Sequence, residues 1–123
     1  MIAADSSSMI SYFSGDTADD VAAVRLALQS GQLSLPLPVV TEVLSDRAAE
    51  AIEADILTLA TLPIHQGYWQ RAGIARRTLQ NRGLKARLGD ALIAQACIDN
   101  DVALITRDKD FRHFAKHCGL RLA

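Results

Sequence analysis

Gly89-Asp90-Ala91-Leu92-Ile93-Ala94-Gln95-Ala96-Cys97-Ile98, running on to Val102-Ala103-Leu104-Ile105-Thr106-Arg107-Asp108, decides how this chain folds. In its first part Leu92, Ile93, Ala96 and Cys97 recur at the spacing of a buried helical stripe. Asp90 stands in the first turn, where a carboxylate suits the positive end of the helix dipole. Asn100 ends the helix, and Val102 to Ile105 is a short apolar strand closed by Thr106-Arg107-Asp108. A helix followed by a buried strand is half of a βαβ unit, and each half here delivers an acid. In a parallel sheet, helix starts and strand ends share one edge, the edge where ligands bind. The rest of the chain can therefore be searched for further acids sent to that edge.

Working outward, Met1-Ile2-Ala3-Ala4 is an apolar run ending in Asp5-Ser6-Ser7-Ser8, which predicts a buried first strand and a capped helix after it. Met9, Ile10 and Phe13 give that helix its inner face. Gly15-Asp16-Thr17 breaks it, with Thr17 predicted to cap a second helix whose stripe is Val21, Val24 and Leu28. Leu33 to Leu37 reads as a second strand, and a helix opens at Pro38-Val39-Val40-Thr41-Glu42 with proline in its first turn. Arg47 to Leu62 predicts one amphipathic helix with Ala48, Ile52, Ile56, Leu57 and Ala60 inward. A weak third strand follows at Leu62-Pro63-Ile64, then a helix from Gln66 to Leu79. Lys109-Asp110-Phe111 starts a last helix, and Leu120-Arg121-Leu122 an edge strand. Strands alternating with helices predict a single α/β domain over residues 1–123, with a central parallel sheet of about five strands flanked by helices.

Bulk composition narrows the class. The 123 residues are half apolar with only three prolines, enough for a folded core and unlike a disordered chain. The formal net charge of −1 leaves no global field toward nucleic acid, so any basic surface is local. Cys97 and Cys118 make no disulfide framework, and Cys97 falls on the buried stripe; that usage suits a reducing cytoplasm. No basic segment precedes the first apolar run, and no apolar run approaches the roughly 18 residues of a membrane span, so neither a signal peptide nor a membrane partner is expected.

Four acids obey one positional rule: Asp5 after the first strand, Glu42 after the second, Asp90 before the next and Asp108 after it. Right-handed crossovers would gather all four on one rim. Two carboxylates about 4 Å apart repel by roughly 4 kcal/mol at an effective dielectric near 20, so a group of four calls for a cation. An all-oxygen ligand set suits Mg²⁺ or Mn²⁺. Taken singly, Asp5 and Asp90 also read as helix caps and Glu42 as surface charge; together the four favour a metal site. Like-charge repulsion predicts that Asp5→Asn or Asp90→Asn leaves the fold intact or more stable. From Gln66 to Gly89 the charges are all basic (Arg71, Arg76, Arg77, Arg82, Lys85 and Arg87), a candidate phosphate-binding face or else a solvated one. His113 and His117 stand four apart late in the chain and read as surface residues; Tyr12, Phe13, Tyr68 and Trp69 read as core or interface.

Asp5-Ser6-Ser7, Thr41-Glu42-Val43-Leu44, Gly89-Asp90-Ala91-Leu92-Ile93-Ala94 and Leu104-Ile105-Thr106-Arg107-Asp108-Lys109-Asp110-Phe111 together resemble the motifs of PIN-domain ribonucleases, and within them the VapC toxins of toxin–antitoxin pairs. The resemblance spans essentially the whole chain. It implies an endoribonuclease dependent on Mg²⁺, or Mn²⁺ in its place, acting on an RNA substrate. Its catalytic acids would be Asp5, Glu42, Asp90 and Asp108, with Asp5, Asp90 and Asp108 on the metal and Ser6, Thr106 and Asp110 in support. It further implies 5′-phosphate and 3′-hydroxyl products, a homodimer and a small cognate VapB-like antitoxin. The alternative is a catalytically weak PIN-like RNA-binding or assembly subunit, which would be expected to lack part of the quartet. An aspartyl-phosphate hydrolase wants Asp-x-Asp after the first strand, where this chain has Asp5-Ser6-Ser7.

Overall fold

The computed structural model describes all of residues 1–123. Five parallel segments lie side by side in it. β1 (Ile2–Ala4) pairs in parallel with β2 (Ala103–Ile105) in the register Ile2↔Ala103, Ala3↔Leu104, Ala4↔Ile105. Single parallel bridges extend the sheet: Ile2 to Leu33 and Leu35 to Thr61 on one side, Leu104 to Leu122 on the other. The predicted second and last strands are thus present as one- or two-residue pairings, while the third pairs at Thr61, one residue before the predicted Leu62–Ile64. The spatial order, from Thr61 through Leu35, β1 and β2 to Leu122, puts the first strand in the middle. Ala3, Ala4, Leu104 and Ile105 are buried there.

Seven helices clothe the sheet: α1 (Ser6–Phe13), α2 (Asp19–Gln29), α3 (Leu37–Leu44), α4 (Glu53–Leu57), α5 (Tyr68–Asn81), α6 (Leu88–Asp99) and α7 (Phe111–Cys118). The core between them holds Met9, Val24, Val39, Ile56, Tyr68, Leu79, Ile93, Phe111 and Phe114. α6 is buried over more of its circumference than its stripe predicted, with Ala91, Ala94 and Gln95 inside as well as Ile93, Ala96 and Cys97. That fits a helix covered on several sides: α5, α3 and α7 all pack on it.

Four boundaries differ from the sequence reading, each for a local reason. α3 starts one residue early, at Leu37, because Pro36 supplies the turn and Pro38 then lies inside the first turn, where its missing N–H costs nothing. The expected helix from Arg47 to Leu62 divides into a 3-10 turn (Ala49–Ala51) and the short α4. Ile52 at the junction has φ −117°, outside the helical region. Of the predicted inward residues Ile56 is buried, whereas Ala48, Leu57 and Ala60 face solvent. α5 begins at Tyr68 because Gly67 before it has φ +84°, a left-handed conformation suited to glycine. Finally, Thr17 does not cap α2: the helix starts at Asp19 after Ala18 with no side-chain cap, and Asp16 instead fixes the turn before it by accepting from the N–H groups of Thr17 (2.6 Å) and Ala18 (3.1 Å). Cys97 and Cys118 are free thiols, and burial pushes the Cys97 thiol up to about 12, where it is inert.

Candidate metal centre

At the C-terminal edge of the sheet the backbone brings the acids together. Asp5 directly follows β1, and its N–H donates to the Ile105 carbonyl at 3.0 Å, so its position is set by the pairing of the two central strands. Its side chain, 3% exposed, caps α1 by accepting the Ser8 N–H at 2.9 Å. The Ser7 hydroxyl lies 3.0 Å from both of its oxygens, and the Thr106 hydroxyl donates to Oδ2. That same Thr106 oxygen accepts the Asp108 N–H at 2.9 Å, so one hydroxyl joins the ends of β1 and β2. Asp108 Oδ1 in turn accepts the Asp110 N–H at 2.9 Å. This tight turn brings Asp108 and Asp110 to the same side as Asp90, in the first turn of α6.

Ligand oxygens of Asp90, Asp108 and Asp110 all lie within 4.8 Å of one another. It is the only such group of three metal-capable side chains in the molecule, and His113 and His117 belong to none. A cavity of about 240 Å³ is lined by Asp5, Ser6, Ser7, Glu42, Arg87, Asp90 and Asp108. Glu42, in the second turn of α3, is held there by the Ser6 hydroxyl, which donates to Oε1 at 2.7 Å. All four acids of the predicted quartet therefore line one cavity. The sequence reading put Asp5 with Asp90 and Asp108 as ligands; the tightest trio instead has Asp110 in that place, while Asp5 has both oxygens engaged by hydroxyls and a backbone N–H. Burial raises the Asp90 carboxyl to about 6, with Asp108, Glu42 and Asp110 adding repulsion and Arg87 opposing it. A carboxylate destabilised in this way, with two others in reach, fits a divalent ion.

The basic residues do not form one surface. Arg71 is paired with Asp99 at 2.6 Å, at the end of α6 opposite the acids. Arg76 Nε donates to the Ala86 carbonyl at 2.8 Å and so anchors the loop that leads into α6. Lys85 lies 3.4 Å from Asp110, and Arg87 lines the acid cavity. Arg77 and Arg82 are exposed. Of the aromatic residues, Tyr68 is buried with its hydroxyl donating to the Leu92 carbonyl at 2.6 Å, whereas Trp69 is 63% exposed. Trp69 lines a larger groove of about 360 Å³ with Leu37, Ile64 and Leu92; Glu42 is its one carboxylate, so the other acids of the predicted quartet face the smaller cavity.

The sequence reading passed over Arg107. Its Nε and Nη2 fork onto Asp20 at 2.8 and 3.0 Å, and Nη2 reaches Asp16 at 3.0 Å. The signal available in the sequence was an arginine between two site residues, with two acids at the start of an early helix. Only the fold shows that they meet.

Residues 2–117 match the family model described as the PIN domain. The chain belongs to the PIN domain family. No curated protein matches it. Among solved structures, this PIN domain is similar to a chain in the crystal structure of VapBC2 from Rickettsia felis bound to a DNA fragment from their promoter. The TM-score is 0.71 at 20% identity, covering 100% of this chain and 98% of that one. At that identity the likeness speaks for the fold.

The trio separates Asp108 from Asp110 in a measurable way. Asp110 heads α7, yet its side chain makes no capping bond, so Asp110→Ala should leave the melting temperature nearly unchanged. Asp108→Ala removes the acceptor for the Asp110 N–H and should cost about 1 kcal/mol. Both should weaken Mn²⁺ binding in calorimetry; equal melting temperatures for the two variants would contradict this division.

Proposed function

We propose that this PIN domain is an endoribonuclease of the VapC toxin type, dependent on Mg²⁺ or Mn²⁺, hydrolysing RNA phosphodiester bonds. PIN domains are in general nucleases, and the observation that carries the reading is the Asp90–Asp108–Asp110 trio, two of whose members, Asp90 and Asp108, line a cavity that also presents Asp5 and Glu42. Asp90, Asp108 and Asp110 would hold the ion, with Asp5 bearing on it through water or directly. When bound, the metal supplies activation of water and charge stabilisation at phosphorus.

The protein's own groups have separate tasks. Glu42, fixed by Ser6, is positioned to accept a proton from attacking water. Arg87 adds a cation to the lining of the cavity, where a phosphodiester would otherwise meet carboxylates and no positive charge. Asp5 and Thr106 keep the two strand ends, and hence Asp108, in place. No nucleophilic side chain is required, and products would carry 5′-phosphate and 3′-hydroxyl ends. The reading extends to a homodimer acting in the cytoplasm under a small VapB-like antitoxin; the VapBC2 likeness supports this in part. No helix is long and apolar enough to cross a membrane.

The test is incubation of the full chain with labelled RNA and with a phosphate monoester, each with Mn²⁺ or EDTA. Cleavage of RNA alone, blocked by EDTA, is expected; hydrolysis of the monoester alone would overturn the reading. The salt dependence of RNA binding divides the cations further. Arg77→Ala, Arg82→Ala and Arg87→Ala should each lower the log–log salt slope by roughly 0.7, the value for one lost phosphate contact on a single strand. Arg71→Ala should leave the slope unchanged, because Asp99 already neutralises it. A slope that falls equally for Arg71 would place the whole of α5 against RNA.

A further inference from the structure

We infer that Arg107, gripped by Asp20 and Asp16, is a positioning residue that sets the Thr106–Asp108 segment, and through it the carboxylates of Asp5 and Asp108, for metal binding. Its consequence for catalysis rests on the nuclease reading above; its structural content does not.

The links close into a ring. Thr106 donates to Asp5, and Arg107, the next residue, forks onto Asp20. Asp20 Oδ2 also accepts the Ser8 hydroxyl at 2.8 Å, and the Ser8 N–H returns to Asp5 at 2.9 Å. Two strand ends and the starts of α1 and α2 are thus tied through one guanidinium. An exposed ion pair contributes little to stability, but this one has the features that make such a pair matter. The Asp20 side chain is 9% exposed, the contact is bidentate, and Asp16 adds a third bond.

Arg107 is poorly placed to serve RNA instead. Two carboxylates already face its charge, and it does not line the acid cavity. Its side chain leaves the backbone between Thr106 and Asp108, so holding the guanidinium on Asp20 and Asp16 restrains the backbone on which both neighbours sit. A lysine there would keep the charge and lose the fork.

The test uses the full chain with Arg107→Ala, Arg107→Lys, Asp20→Asn and the Arg107→Ala/Asp20→Asn double variant. Mn²⁺ affinity is read by calorimetry without RNA, kcat and KM on RNA, and amide exchange at Asp108 and Asp110 in EDTA. Arg107→Ala and Asp20→Asn should each weaken Mn²⁺ binding by about tenfold, as loss of a group that orients a ligand does. Each should lower kcat with KM held, and speed exchange at Asp108 and Asp110 while α5 stays protected. The double variant should be no worse than the worse single, since both cut one link. Arg107→Lys should fall between, and it is read in place of Arg107→Ala if that variant fails to fold. Unchanged exchange and Mn²⁺ affinity would overturn the inference, as would a raised KM with kcat intact, the mark of a phosphate contact. A wild-type chain that neither binds Mn²⁺ nor cleaves RNA would overturn the nuclease reading, and exchange at Asp108 and Asp110 would still decide the brace.

Discussion

Asp90→Asn is expected to abolish metal-dependent RNA cleavage and, in EDTA, to raise the melting temperature. The carboxyl lies near 6 in the folded protein, against about 3.9 in an unfolded chain. Because the folded state holds this proton more tightly, Asp90 favours folding below about pH 4. That contribution is lost as pH rises through about 6. At neutral pH the ionised side chain therefore costs stability. Two units would correspond to roughly 3 kcal/mol, but Asp90 is only half-buried and solvent screening brings the expected gain nearer 1 kcal/mol. For a domain of this size that is about 4 °C. Melting curves of wild type and variant from about pH 4 to pH 7.5 check it: the gap should open as pH rises. Adding Mn²⁺ should then stabilise wild type and leave the variant unmoved. A variant that cleaves RNA at the wild-type rate would remove Asp90 from the centre.

Asp5→Asn makes the same chemical change and should act in the opposite direction on stability. Repulsion alone predicts a gain or no change at both positions, but Asp5 is not held like Asp90. Its Oδ1 must accept the fixed Ser8 N–H, which forces the amide nitrogen to the Oδ2 side, against the donating Thr106 hydroxyl. Thr106 must then turn its hydrogen away while still accepting from Asp108. The variant loses charge-assisted bonds in a site 3% exposed, an expected loss of about 2 kcal/mol together with cleavage. Chemical denaturation in EDTA reads it directly. A midpoint above that of wild type would show that repulsion still dominates at Asp5.

The contrast between these two acids shows where reading residues in order succeeds and where it stops. Strand ends and helix starts are written in local pattern, so Asp5, Glu42, Asp90 and Asp108 could all be sent to one edge, and they line one cavity. Pairing length is not local: Leu33 to Leu37 has the composition of a strand, but Pro36 turns it into α3 after two bridging residues. The segment from Arg47 to Leu62 has helical composition but meets the core at few points, and only Ala49 and Ile56 are buried within its helical turns. Asp110 was placed as a supporting residue because spacing along the chain hides the turn in which Asp108 accepts its N–H. Arg71 and Arg77 look alike in sequence; Asp99, twenty-eight residues past Arg71, separates their roles.

The bond from Thr106 to Asp5 spans 101 residues of chain. The first strand lies in the middle of the sheet, so its β2 neighbour is made long after it. At roughly 5–20 residues per second, Asp5 leaves the peptidyl-transferase centre several seconds to tens of seconds before Thr106 exists. Until then Asp90, Asp108 and Asp110 have no shared turn and Asp5 has no Thr106 to hold it. A partly synthesised chain therefore carries its acids unassembled, and the acidic edge closes as one of the last events of folding, at the pace that pairings so distant in sequence impose. On the nuclease reading proposed above, the chain has no assembled metal site until its Thr106–Asp110 segment has been made.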